Sequence, residues 1–162
     1  MNLMKTLRTP ALILAALTAL TAAAALAKPS VPDIDLAVKV QIPDSPVAVG
    51  KEGEALGTLT PPSGVHINQY PPMRLTIDPS PPLVFPQSEI KMGLDKMPED
   101  ISKNPFEKID PMVVKFRVSD HAGDARVPVT AKLKYFYCVA KSGYCAPGVK
   151  NITFTVPITA TP

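Results

Sequence analysis

Apolar and polar residues alternate one by one along much of this chain. In the segment 127–137, every second residue is apolar or aromatic and the residues between them are mostly polar. Successive side chains of a β-strand point to opposite faces, so this pattern predicts a strand with one buried face. Six segments share the pattern, and their predicted buried rows are Ile34, Leu36, Val38, Val40 and Ile42; Met73, Leu75 and Ile77; Ile90, Met92 and Leu94; Val114, Phe116 and Val118; Val127, Val129, Ala131, Leu133, Tyr135 and Tyr137; and Ile152, Phe154, Val156 and Ile158.

Proline-rich turns separate these segments. Nineteen of the 20 prolines follow residue 27, and they cluster between the alternating runs. Because proline lacks a backbone N–H and breaks helix interiors, this spacing leaves room only for short strands and turns. No convincing helix and no internal repeat interrupts the pattern. The sequence therefore predicts an all-β fold, an immunoglobulin-like antiparallel β-sandwich of about seven to nine strands.

The first 27 residues have the layout of a secretory signal peptide. Lys5 and Arg8 precede an apolar run over 11–26, and the small-x-small triplet Ala-Leu-Ala lies at 25–27. We expect cleavage after Ala27 and export, which leaves residues 28–162 as one domain. An uncleaved anchor is the alternative, but the run is short and rich in Ala and Thr for a stable span.

The charge of residues 28–162 is nearly balanced, with 15 basic and 14 acidic residues. No basic cluster of the kind that binds nucleic acid is apparent, and no second long apolar run follows the signal. We therefore expect neither a nucleic-acid partner nor a membrane span after cleavage. No hydrolase, phosphate-loop or zinc-protease motif is present either. The candidate chemistry is thus confined to the cysteines.

The two cysteines, Cys138 and Cys145, are separated by six residues that include Lys141-Ser142-Gly143, a sequence able to turn the chain. Export permits a disulfide between them. The simpler interpretation is a structural bond, which would contribute about 2–3 kcal/mol by closing a short loop.

The position of Cys138 favours a second interpretation. Cys138 has the opposite parity to the buried row of its strand and shares a face with Lys134. A regular strand would therefore turn its sulfur to the polar face, where a nearby cation favours the thiolate and exchange chemistry. A bulge at this position would reverse the argument.

A metal site is a third interpretation. His66 and His121 lie far from the cysteines in sequence, and the cysteine spacing is not that of a zinc site. A Cu(I) site that uses cysteine or methionine stays open. We predict no metal and no other cofactor.

The segment 95–111 breaks the alternating pattern. It is charged, contains three prolines and carries Phe106 near its middle. Long loops in compact domains are often functional, although a solvated connection is the simpler interpretation.

Two stretches resemble a known family. They are PPSGVHINQYPPMRLTID at 61–78 and KLKYFYCVAKSGYCAPGVKNITFTVPI at 132–158. Both are similar to the N-terminal periplasmic domain of the bacterial thiol:disulfide interchange protein DsbD, and the resemblance covers most of the chain from Val38 onward. It implies an immunoglobulin-like fold and a periplasmic location. It also implies electron transfer through one cysteine pair to oxidised thioredoxin-fold proteins.

The resemblance also implies residue roles. Cys145 would attack the disulfide of the target and Cys138 would resolve the mixed disulfide. Phe106 would cap the pair from a mobile loop that includes Asn104 and Glu107. Residues expected near the site are Tyr137, Lys141 and Tyr144. The chain carries no membrane-spanning domain, so the reductant would be a separate membrane electron donor. The alternative function is a non-enzymatic immunoglobulin-like binding domain with a structural disulfide.

Overall fold

The computed structural model describes residues 34–161 and, at Ser102, the backbone only. The signal peptide predicted at 1–27 lies outside the described residues. Within residues 34–161 the chain forms ten β-strands, and the one helical element is a 3-10 turn at Ile101–Lys103. No helix in this range is long and apolar enough to cross a membrane.

The ten strands, in chain order, are β1 (Ala37–Gln41), β2 (Val47–Ala48), β3 (Glu52–Thr60), β4 (Val65–Ile67), β5 (Met73–Ile77), β6 (Leu83–Val84), β7 (Glu89–Met92), β8 (Met112–Val118), β9 (Ala125–Val139) and β10 (Tyr144–Thr159). They form two sheets. One sheet has the strand order β1-β3-β8-β6, and the other has the order β2-β10-β9-β5-β7, with β4 paired to the far end of β9. This arrangement confirms the predicted all-β sandwich, with a strand count slightly above the expected seven to nine.

The longest strands, β9 and β10, pair in antiparallel register from end to end. All other pairings are antiparallel as well, except the short parallel contact of β2 with the end of β10. Asp124, just before β9, accepts a 2.7 Å hydrogen bond from the backbone N–H of Ala160, just after β10. This hydrogen bond holds the pKa of Asp124 below its usual value.

The core lies between the two sheets, and the predicted inward rows of β5, β8 and β9 are all buried. The rows of β1, β7 and β10 are partly buried. The prediction was wrong for Leu94, which lies beyond the end of β7 and is 37% exposed.

The alternation of apolar and polar residues did not predict β3, because the inward row of this strand has three small residues and only one large one. Gly53, Ala55, Gly57 and Leu59 share this row, and the two glycines give no hydrophobic signal. The ring of Phe116 lies against Gly53, where an added Cβ would come within 2.6 Å of it. The missing side chain therefore makes room for the largest side chain of β8.

A second glycine has the same role in the β9–β10 pair. Gly148 lies directly opposite Tyr135, whose ring covers it closely enough that any Cβ would overlap the ring. Tyr135 is buried and packs beside Tyr137, with 6.1 Å between ring centroids.

We expect Gly148→Ala to lower the free energy of unfolding by about 1–3 kcal/mol, because the new methyl group displaces the Tyr135 ring. Equilibrium urea unfolding measures the change. Gly123→Ala is the matched control, since no atom lies within 4 Å of the position of its Cβ. Equal effects of the two substitutions would contradict this account of the packing.

Candidate functional site

The two cysteines meet because a tight turn reverses the chain between β9 and β10. The turn comprises residues 140–143, and the N–H groups of Ser142 and Gly143 both donate to the carbonyl oxygen of Val139, at 3.3 and 2.9 Å. Gly143 has a φ of 65°, in the left-handed region that glycine adopts without strain. The turn therefore places Cys138 directly opposite Cys145 in the strand register.

A disulfide joins this cross-strand pair, whose Cα atoms are 4.1 Å apart. The register runs without a bulge from the turn to the other end of β9, so the parity predicted for Cys138 holds. Directly opposite residues point to the same side of a sheet, and here that side is the outer face, shared with Lys134. The bond thus lies at the hairpin end of the sandwich and not between its sheets.

The two cysteines differ in accessibility. Cys145 is half-buried, whereas Cys138 is only 8% exposed. The sulfur of Cys138 therefore points to the predicted face, but the residue is largely covered there. The reason is that a neighbouring strand and the segment beyond it cover the outer face at this point.

The covering strand is β4, in which His66 lies opposite Cys138. Asn68 follows β4 and is fully buried. Its Nδ2 amide donates to the Cys138 sulfur at 3.2 Å, while its Oδ1 atom is buried with no hydrogen-bond partner among the described residues. A buried amide thus contacts the sulfur that solvent reaches least.

The segment 95–111 is docked against the other side of this strand. The N–H of Phe106 donates to the carbonyl oxygen of Ile67 at 2.8 Å, and the N–H of Gln69 donates to that of Asn104 at 2.9 Å. Asn68 also donates to the carbonyl oxygen of Ile101 at 3.1 Å. The same amide therefore links the disulfide to the segment, which the alternative of a solvated connection did not anticipate.

The predicted cap residues occupy different environments within this segment. Asn104 is half-buried, and its Nδ2 donates to the carbonyl oxygen of Asp100 at 2.7 Å. Phe106 is half-buried and packs against the hydrophobic core. Glu107 is exposed. The backbone of the predicted cap thus lies against Ile67 and Gln69, the two residues that flank Asn68.

The residues predicted to lie near the site differ in their exposure and in the face to which they point. Lys141 is exposed in the turn, and Tyr144 is 37% exposed next to Cys145. Tyr137 is adjacent to Cys138 in sequence but points to the opposite face, where it is 1% exposed within the core. Of the three, Lys141 and Tyr144 are exposed to solvent and Tyr137 is not.

Sequence reasoning missed two residues that the fold brings to the disulfide, His66 and Asn68. They lie 72 and 70 positions before Cys138, and only the pairing of β4 with β9 joins them to it. The one available signal was the His-Ile-Asn stretch at 66–68. Among the described residues, no group of three or more His, Cys, Asp or Glu side chains is placed to hold a metal ion.

The chain matches no protein-family model and no curated protein sequence. The geometry of the cysteine hairpin is therefore the main structural indication of function. That geometry combines one partly accessible cysteine, one buried cysteine in contact with a donor amide, and a docked segment at its edge.

We expect reduction of the disulfide to lower the free energy of unfolding by about 2–3 kcal/mol, because the bond closes only a short loop. Urea unfolding with and without excess dithiothreitol measures the difference. The double variant Cys138→Ala/Cys145→Ala is the control and should not respond to the reductant. An identical midpoint for oxidised and reduced protein would show that the bond contributes no stability.

Proposed function

We propose that this protein is an exported thiol–disulfide exchange module, similar to the N-terminal periplasmic domain of DsbD. The observation that carries the proposal is the position of the disulfide, at the hairpin end of the sheet and on its outer face, with Cys145 partly accessible. A bond buried between the sheets would have excluded reaction with another protein.

The unequal burial of the two cysteines supports different roles. In the reduced protein, the thiolate of Cys145 attacks one sulfur of a partner's disulfide, and the partner's other sulfur leaves as a thiolate. The thiolate of Cys138 then attacks the Cys145 sulfur and releases the second partner thiol. The protein ends oxidised at Cys138–Cys145, and the partner ends as a dithiol.

Asn68 supports the second step. Its Nδ2 amide lies 3.2 Å from the Cys138 sulfur, and hydrogen bonds to ionised acceptors are stronger than those to neutral ones. This amide therefore stabilises the thiolate of Cys138 more than its thiol. It also keeps the sulfur close to Cys145 while the mixed disulfide exists.

The proposed targets are periplasmic thioredoxin-fold proteins, and the proposed reductant is a separate membrane electron donor. The support for both is the resemblance of the stretches 61–78 and 132–158. The proposed periplasmic location rests on the same resemblance and on the signal-peptide layout of residues 1–27.

A second candidate function is a non-enzymatic binding domain in which the disulfide is structural. The low exposure of Cys138 and its hydrogen bond to Asn68 favour this candidate. The reduction potential separates the two functions, because structural disulfides have potentials below about −300 mV. A higher potential is expected if the bond exchanges.

We expect Cys138→Ala to accumulate a mixed disulfide with an oxidised, purified periplasmic thioredoxin-fold protein, because Cys145 can attack but no thiol resolves the product. Non-reducing electrophoresis and mass spectrometry detect the adduct. Cys145→Ala is the matched control and should form much less of it, since its remaining thiol is buried. A folded Cys138→Ala protein that forms no adduct would exclude the exchange function.

We expect Phe106→Ala to increase severalfold the rate at which glutathione reduces the disulfide, because the loss of its ring loosens the segment docked beside Asn68. Thiol titration over time measures this rate. Phe85→Ala is the control, since Phe85 is also half-buried against the same core but contacts Phe116, with 6.4 Å between ring centroids. Equal acceleration in both variants would indicate general destabilisation and not the loss of a cap.

A further inference from the structure

Three cations lie side by side across the outer face of the larger sheet. Lys91 of β7 is opposite Arg74 of β5, and Arg74 is opposite Lys134 of β9. The same row ends at Val149 of β10, which is 59% exposed. Lys132 lies two positions before Lys134 and therefore on the same face. We call Arg74, Lys91, Lys132 and Lys134 the cationic face.

Such a row is unfavourable for the isolated domain, because like charges directly opposite one another on a sheet repel. Arg74 forms a 2.9 Å ion pair with Glu89, and Lys91 approaches Asp95 at 3.9 Å. Lys132 and Lys134 form no ion pair within residues 34–161. Two of the four cations are thus left without a counter-charge from the described part of the chain.

The other sheet of the same protein is arranged differently. On its outer face, Glu52 lies opposite Arg117 and Glu54 lies opposite Lys115, so both cations of β8 are matched by an acid of β3. The chain from residue 28 onward is nearly neutral. The excess positive charge is therefore a property of one face and not of the composition.

The cationic face is continuous with the disulfide. Cys138, Lys134 and Lys132 have the same parity on one regular strand, so all three project from the same side. Lys134 lies about 13 Å from Cys138 along β9, and Lys132 about 20 Å. A globular partner whose disulfide reaches Cys145 would cover both lysines.

We propose that the cationic face docks an acidic protein surface next to the reactive disulfide of the redox partner. This inference rests on the proposed exchange function and adds the chemistry that selects the partner. The attraction brings the partner's disulfide to Cys145, and it weakens as salt screens the charges.

Synthetic peptides test the proposal. Each peptide has one cysteine, activated as a mixed disulfide with thionitrobenzoate, and a block of charge about four extended residues away, to match the spacing of Lys134 from Cys138. Cys145 of the reduced protein attacks the peptide sulfur and releases thionitrobenzoate, and Cys138 then displaces the peptide thiol. The release of thionitrobenzoate gives the second-order rate constant.

At low ionic strength, we expect a block of glutamates to react about 10-fold faster than a neutral block, and a block of lysines to react more slowly than either. The advantage of the acidic peptide should shrink as salt is added and should be lost in Lys132→Glu/Lys134→Glu. The double variant Lys39→Glu/Lys51→Glu is the control. It changes the formal charge equally at exposed positions outside the larger sheet, and it should keep the preference.

Equal rates for the three peptides would overturn the docking proposal and leave exchange intact, whereas no release from any peptide would contradict exchange itself. Equal loss of preference in the two double variants would show an effect of net charge only, and would also overturn the proposal. The three peptides could also react equally while the protein co-sediments with phosphatidylglycerol vesicles. If Lys132→Glu/Lys134→Glu abolishes that co-sedimentation, the cationic face binds a membrane surface instead.

Discussion

The unbroken register between β9 and β10 is the constraint on which the core and the candidate site both depend. Fifteen consecutive residue pairs align the inward side chains of both strands with the facing sheet. The same alignment places Cys138 opposite Cys145 at the hairpin end. Because side chains alternate with a period of two, a shift of one residue would move the whole hydrophobic row outward and separate the cysteines. Packing in the core therefore fixes the geometry of the disulfide.

The disulfide is asymmetric because only one side of the hairpin has a neighbour. At this end of the sheet, β9 also pairs with β4, and Asn68 and the segment around Ile101 follow it. They bury Cys138, whereas Cys145 on the outer strand of the hairpin is left partly accessible. Sheet topology thus distinguishes two sulfurs that the covalent bond makes equivalent. That distinction supports the different roles that we propose for the two cysteines.

The outer faces of the two sheets differ in which charged side chains lie opposite one another. Opposite charges meet across β3 and β8, which stabilises a solvent-exposed face at little cost. Like charges meet across β7, β5 and β9, next to the strand end that carries the disulfide. Glu89 and Asp95 offset two of these cations, and the anionic partner surface that we propose would offset Lys132 and Lys134. The uneven distribution therefore has its simplest explanation in binding.

The amino-acid sequence by itself determined the buried rows of β5, β8 and β9 and the hairpin that joins the cysteines, because alternation and turn residues act over a few neighbouring positions. The fold class followed from these local patterns. The signal-peptide layout of residues 1–27 is equally local, and it stays a prediction.

Tertiary structure alone decided what surrounds the disulfide. Parity correctly predicted the direction of the Cys138 side chain, but the burial of that residue depends on Asn68, which is 70 positions away. Tertiary structure likewise decided that Leu94 lies outside β7 and that the cations of β5, β7 and β9 form one row. The physical reason is that each of these features depends on which distant strands pair. The pairing of strands minimises the free energy of the whole sandwich and not that of any one segment.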